Sequence, residues 1–199
     1  LLNSGYDSES VGGSLYWNAK SGTCYNGSSN ATTSCNFTST GLKNDTTRNM
    51  ITETTYYTRG HKTASIYVGA MYDKERVSGT VDSGHSTTWI GKIAIPYASD
   101  YGYAVDLSLC QQNLYGYDNS TCTANNWMKN IVTNNGANWG FLLTPNSEYH
   151  VWSVRNTSGS VHSGDLACYA YGVAPVLSLT SELDIGSGTG TSSDPYQLN

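Results

Sequence analysis

The sequence predicts an α+β fold of short antiparallel strands, one or two short helices and long loops. Three observations carry that expectation. Strand-like segments are many and brief, and Gly, Ser, Asn and Pro separate them. Helical spacing of apolar residues is confined to two short stretches. Charged residues make up only 13% of the 199, whereas Gly numbers 21 and Tyr 16. Low charge with abundant aromatics argues against disorder, and the Ser-, Thr- and Asn-rich remainder is similar to the surfaces of secreted proteins. We expect a single extracellular domain over 1–199, loop-rich over 1–47 and with its core in 48–199.

Taken in order, residues 1–40 read as turns and short strands around "SLYWNA" and a first cysteine loop. In "TGLKNDTTRNMITETTYY", Asp45 or Thr46 can cap a short helix, with Leu42, Met50 and Ile51 on its apolar side. "ASIYVGAMY" reads as a strand. "TTWIGKIAIPYASDYGYAVDL" puts Trp89, Ile93 and Ile95 on one side of an alternating strand that Pro96 ends. "NNWMKNIV" is a one- to two-turn helix capped by Asn125 or Asn126. "WGFLLTPNS" is a buried strand closed by Pro145 and Asn146, and "YHVWSVRNTSGSVHS" is a hairpin turning over Asn156–Gly159. "GVAPVLSL" is a last apolar strand before a Gly/Ser-rich tail that closes on Pro195 and Tyr196. Trp89, Trp127 and Trp139 adjoin apolar residues and are expected in the core.

The formal net charge is −5 and no Lys/Arg cluster occurs, which disfavours nucleic acid and anionic membrane surfaces as partners. No apolar run approaches bilayer-spanning length, so no membrane insertion is expected of this segment. The opening "LLNSGYDSES" lacks the features of a signal peptide, and any export signal is expected upstream. Among the five cysteines, Cys24 with Cys35 and Cys110 with Cys122 each enclose a short polar loop, where a crosslink is worth roughly 2–3 kcal/mol. Reduced, buried thiols are the alternative, although flanks such as "GTCYNGS" and "NSTCTAN" are poor sites for them. The spacing does not suit a zinc site, and disulfides imply an oxidising compartment. Cys168 is left over. Sequons at Asn26, Asn30, Asn36, Asn44, Asn119 and Asn156 are no more than an Asn-, Ser- and Thr-rich chain yields by chance.

No enzyme motif stands out. His61, His85, His150 and His162 are scattered, and His162 with Asp165 is the one His–carboxylate pair close in sequence. Acidic residues in "DSESVGG" and "YDNSTC" lack a calcium-loop layout. We expect no catalysis, no metal and no cofactor.

The stretch "WIGKIAIPYASDYGYA", residues 89–103 with the next alanine, resembles a motif W-x-G-K-[IV]-x-[LI]-x-Y-x-S-D-Y-G-Y-A. That motif recurs in a group of secreted proteins of Gram-positive bacteria and their relatives. The resemblance extends over about residues 48–199, through Cys110 and Cys122, "NNWM", "FLLTPNS", "VWSVRNTSGSV", "YGVAPVLSL" and "GSGTGTSSDPYQL". Members often follow a type IV pilin-like segment. Their globular part resembles a C-type-lectin-like, or formylglycine-generating-enzyme-like, fold, which in retroelement-diversified proteins displays a hypervariable face. The resemblance thus implies an extracellular domain on a pilus-like filament or virion that binds a protein or glycan on another cell or surface, with filament subunits as further partners. Three departures matter. Ala174 stands where the group has Arg, the sugar-and-calcium triplet E-P-N is Thr144-Pro145-Asn146 here, and no W-N-D follows.

On that scaffold Trp152, Val154, Val173 and Val176 would point inward. Tyr149, His150, Arg155 and His162 would point outward, followed by Asp165, Leu166, Cys168, Tyr169 and Tyr171. Such a mixture is what adenine-directed change of asparagine codons leaves, and an unpartnered Cys168 fits it. A plain alternative stands beside this: the rings are ordinary strand residues packed for stability, and the domain is a structural pilin-like subunit with filament contacts only. An enzyme on the same scaffold would need a paired-cysteine metal site that the sequence does not offer.

Overall fold

The structure is a computed structural model. It describes residues 49–63, 65–81, 83–84, 86–133, 138–167, 169, 171–191 and 193–198, with the backbone of 23–24 and 33–34. The described residues form a mixed α/β structure of short antiparallel strands and few, short helices, as the sequence predicts. The strands are β1 (Thr23–Cys24), β2 (Thr33–Ser34), β3 (Ile51–Thr52), β4 (Thr54–Tyr57), β5 (Thr88–Gly91), β6 (Ile93–Ala94), β7 (Trp139–Pro145), β8 (His150–Arg155), β9 (Val161–Leu166), β10 (Val176–Leu179), β11 (Ile185–Ser187) and β12 (Gln197–Leu198). The helices are α1 (Val68–Asp73), α2 (Ala98–Tyr103), α3 (Ser120–Asn125) and α4 (Lys129–Val132). The strands make small sheets in the orders β3-β10-β6, β4-β5, β7-β8-β9, β11-β12 and β1-β2.

The β7-β8-β9 sheet lies against the main core. Along β8, side chains alternate between its faces. Trp152 and Val154 are fully buried and join Leu142 of β7 and Val161 of β9 in a core with Met71, Tyr101, Leu114, Tyr117 and Val132. The Trp152 indole N–H donates to the His61 carbonyl at 3.0 Å, so the buried ring leaves no orphan donor. The turn between β8 and β9 falls at residues 156–159 as expected. Gly159 has φ 72°, a left-handed conformation that favours glycine, and its N–H donates to the Arg155 carbonyl at 2.7 Å. The Tyr101 hydroxyl, deep in the core, donates to the Gly159 carbonyl at 2.8 Å and ties the turn down.

The motif residues 97–103 are not part of a strand. They form α2 and the residue before it. Asp100 Oδ2 accepts from the Tyr97 N–H at 2.9 Å, which caps the helix, and its Oδ1 accepts from Arg76 Nη2 at 2.7 Å. Arg76 lies 3.8 Å over the Tyr97 ring and also bonds Glu75 Oε2 at 2.8 Å. Glu75 is fully buried, and its carboxylate accepts from the Ser99 N–H at 3.1 Å and from the Ser99 and Thr144 hydroxyls. Burial pushes its pKa up, and those hydrogen bonds and the Arg76 charge offset part of the push.

This network explains a miss. The second half of "ASIYVGAMY" lies in α1 (Val68–Asp73) and not in a strand, followed by a π-helical turn at Lys74–Ser78. Val68, Met71 and Glu75 are the buried side chains, a helical stripe whose third member is a carboxylate and is therefore invisible to a hydrophobicity reading. α1 packs on α2, where Gly102 leaves room: a Cβ there would lie 2.4 Å from Val68 Cγ2.

Other expectations fared unevenly. β7 lies where expected; α4 is shorter than the helix expected over "NNWMKNIV" and is capped by neither Asn125, which ends α3, nor Asn126, whose Oδ1 accepts from the Met128 N–H at 3.0 Å one turn earlier. Ile51 is in β3, paired with Leu179 of β10, and not on a helix. Most of the helix expected before it lies outside the described residues. Trp89 and Ile95 pack beside a second core group of Tyr56, Ala94, Tyr97 and Leu143. Trp127 is corrected: it is 66% exposed. Within the Gly/Ser-rich tail, β11 pairs with β12 just after Pro195 and Tyr196, and the side chains of both strands are exposed. Cys110 and Cys122 are joined in a disulfide. Cys122 sits in α3, a stretch expected to be loop, where Asn119 Oδ1 caps the helix through the Thr121 N–H at 2.9 Å. The expected Cys24–Cys35 bridge and the state of Cys168 lie outside the described residues. Ala174 is buried in the main core.

Candidate ligand-binding face

The face of the β7-β8-β9 sheet turned away from Trp152 is built by the strand register. Trp139 pairs with Arg155, Phe141 with Ser153, Ser153 with His162, and Asp165 with Val151. Because paired residues project to the same side, these side chains meet in one cluster. The chain then returns beside β7. Gly172 donates to the Trp139 carbonyl and accepts from the Phe141 N–H, both at 2.8 Å. This parallel bridge lays Tyr171 over the strand. Its ring stacks on Trp139 at 5.8 Å and 15°, and touches Phe141 at 4.8 Å. Tyr169 lies 5.6 Å from Tyr171, and His162 lies 5.5 Å from Trp139. The Arg155 guanidinium stands 5.6 Å from the Trp139 ring centre, within the range of a cation–π contact.

Asp165 organises the cluster. The Ser153 hydroxyl and His162 Nδ1–H donate to Oδ2, the latter at 3.1 Å, and the Tyr171 hydroxyl donates to Oδ1 at 3.1 Å. Desolvation and the Asp165 charge hold the Tyr171 hydroxyl's pKa up at about 12, so it remains a donor at all ordinary pH. Ser153 is fully buried, whereas the His162 side chain is 55% exposed.

The sequence-predicted residues therefore divide. Arg155, His162, Asp165, Tyr169 and Tyr171 are brought together, with Arg155 and His162 exposed and Tyr169 42% exposed. Asp165 corrects its expected outward position: it is buried beneath Tyr171, because three donors converge on it. Tyr149, His150 and Leu166 lie elsewhere. His150 pairs with Leu166 at the opposite end of β8 from Arg155, about 17 Å along the strand. Tyr149 is exposed there, and the half-buried His150 shares a 2.7 Å hydrogen bond between Nδ1 and the Ser147 hydroxyl. Sequence reasoning missed Trp139, Phe141 and Ser153 as members of the cluster. The signal is present in "WGFLL", whose alternation sets Trp139 and Phe141 against Leu142, but its apolar composition reads as a strand buried on both faces.

A serine nucleophile needs a base at its hydroxyl, yet Ser153 and His162 both donate to the same carboxylate oxygen and the serine is fully buried. Among the described residues no group of three or more His, Cys, Asp or Glu is placed to hold a metal ion. What the face offers is a row of rings with a guanidinium at one end, fixed from beneath by hydrogen bonds.

Compared with family models, with curated proteins and with solved structures, the chain finds no match.

Proposed function

We propose that this chain is an exported, non-enzymatic ligand-binding or adhesion domain on a C-type-lectin-like scaffold, displayed on a surface filament or virion. In this reading it engages its ligand through the face formed by Trp139, Arg155, His162, Tyr169 and Tyr171. The observation that carries the reading is the ring row: Tyr169, Tyr171 and Trp139 in succession, with Tyr169 exposed and the row anchored on buried Asp165. Tyr, Trp and Arg dominate binding hot spots; Tyr and Trp contribute contact area with little conformational entropy to lose, and Arg a planar set of donors. A fixed frame beneath adaptable surface residues also accords with a diversified face.

A screen of the domain against arrayed surface proteins and glycans tests this. Any ligand found is expected to lose about 30-fold affinity on Tyr169→Ala, the loss of an aromatic anchor, and less than twofold on Tyr67→Ala, an exposed ring at the start of α1. Equal loss in both variants, or none in the first, would remove the face from the account.

A second reading, a structural subunit with filament contacts only, has its own support. Tyr67, Tyr72, Tyr103 and Trp127 form further exposed rings outside this face, with Tyr72 and Tyr103 in edge contact at 6.3 Å. Filaments that assemble normally with Tyr169→Ala but fail with Tyr72→Ala and Tyr103→Ala would favour it.

A further inference from the structure

We propose that the face receives an extended acidic peptide segment of a partner protein, an Asp or Glu carboxylate held by Arg155 and same-side side chains lying along Trp139, Tyr171 and Tyr169. The inference rests on the reading of this face as a binding surface and adds the chemistry of what it binds.

Charge is the first argument. Arg155 is exposed, and among the described residues no carboxylate pairs with it. Asp165, the carboxylate of this cluster, is buried and already accepts from Ser153, His162 and Tyr171. Its oxygens are occupied internally, so it makes no direct contact with an incoming ligand. The other ionisable member, His162, adds positive charge when protonated. Lys129 lies beside the Gly159 turn, at the Arg155 end of the hairpin. The chain as a whole carries −5, and Arg155 gives this face an exposed cation on an anionic molecule. Such a pattern steers an acidic group to one place and disfavours it elsewhere. Placed beside Trp139, the guanidinium keeps N–H groups for a bidentate carboxylate.

Shape is the second argument. The rings of Tyr169, Tyr171 and Trp139 follow one another at 5.6 and 5.8 Å. Same-side side chains of an extended peptide repeat at about 6.7 Å, close enough for successive side chains to rest on successive rings. Acidic glycans share the carboxylate but not this repeat, and the test separates them.

Selection of a random peptide library displayed on phage against the intact chain provides that test. The selected peptides are expected to be enriched at least threefold in Asp and Glu, with an apolar or aromatic residue two positions away. Arg155→Ala should remove the enrichment, and Arg155→Glu should invert it toward Lys and Arg, with near-UV circular dichroism confirming that both variants fold. Acidic enrichment that survives both variants overturns the role of Arg155. Peptides without charge preference that are lost on Tyr169→Ala overturn the acidic partner while leaving the binding face standing. Peptides indifferent to both Arg155 and Tyr169 overturn the face as well. Capture of polygalacturonate, with no peptide selected, overturns the peptide in favour of an acidic glycan.

Discussion

Replacing Asp165 with alanine removes the acceptor on which three donors of the binding face converge. Ser153 is fully buried, so its hydroxyl would lose a charge-assisted bond, a change of about 1.5–3 kcal/mol. Tyr171 is half-buried, and its bond adds about 1 kcal/mol. The His162 side chain is 55% exposed, and solvent screening reduces its share to roughly 0.5 kcal/mol or less. Release of a carboxylate from a poorly solvated position returns part of this. The expected net loss is about 2–4 kcal/mol for Asp165→Ala. It is about 1–2 kcal/mol for Asp165→Asn, whose amide oxygen can still accept. Urea unfolding followed by far-UV circular dichroism measures the stability. Near-UV dichroism reads the ring stack, which should lose intensity once Tyr171 is no longer held over Trp139. Stability within about 0.5 kcal/mol of the parent, together with an unchanged near-UV spectrum, would refute the claim that Asp165 organises the face.

Other expectations follow from the scaffold. Burial raises the Glu75 pKa above its ordinary 4.5, so the folded chain holds that proton more tightly than the unfolded one. Stability from this group is full below pH 4.5 and falls by up to about 1.4 kcal/mol per pH unit above it, until the folded carboxyl ionises. Urea titrations from pH 4 to 8 should show this component in the parent and not in Glu75→Gln; parallel pH profiles would contradict it. The 110–122 disulfide spans a sequence separation of 12, and Cys110→Ala with Cys122→Ala should cost about 3 kcal/mol, measured by denaturant midpoint. At Gly102, a Cβ would meet Val68 Cγ2 at 2.4 Å, so Gly102→Ala should cost about 1–3 kcal/mol through overpacking of α1 on α2. A neutral result in thermal melts would mean that the two helices separate freely.

The parts legible in the sequence were those governed by local rules. Alternation in "HVWSVR" placed Trp152 and Val154 in the core, turn chemistry placed Gly159, and the polar loops flanking Cys110 and Cys122 pointed to their bridge. Long-range polar contacts were not legible. Nothing in the composition of "MYDKERV" shows that Glu75 faces inward toward Ser99 and Thr144, which lie 24 and 69 positions away. Without that knowledge α1 reads as a strand. The same limit applies to the face. Tyr169 and Tyr171 were recognisable as ring-rich, but their meeting with Trp139 depends on a backbone bridge from Gly172 to β7. The scaffold implied by the resemblance sets Asp165 outward, and three donors contributed by β8, β9 and the following segment reverse that.

The central claim is that ligand contact is made on the outer side of the β7-β8-β9 sheet. Backbone amide and aromatic chemical shifts, assigned by NMR and followed as a selected ligand is titrated in, test it most directly. The account predicts perturbations concentrated at Trp139, Arg155, His162, Tyr169 and Tyr171, with Tyr67, Tyr72 and Tyr196 unmoved. Perturbations confined to α1, α2 or the β11-β12 hairpin, with those five residues silent, would contradict it.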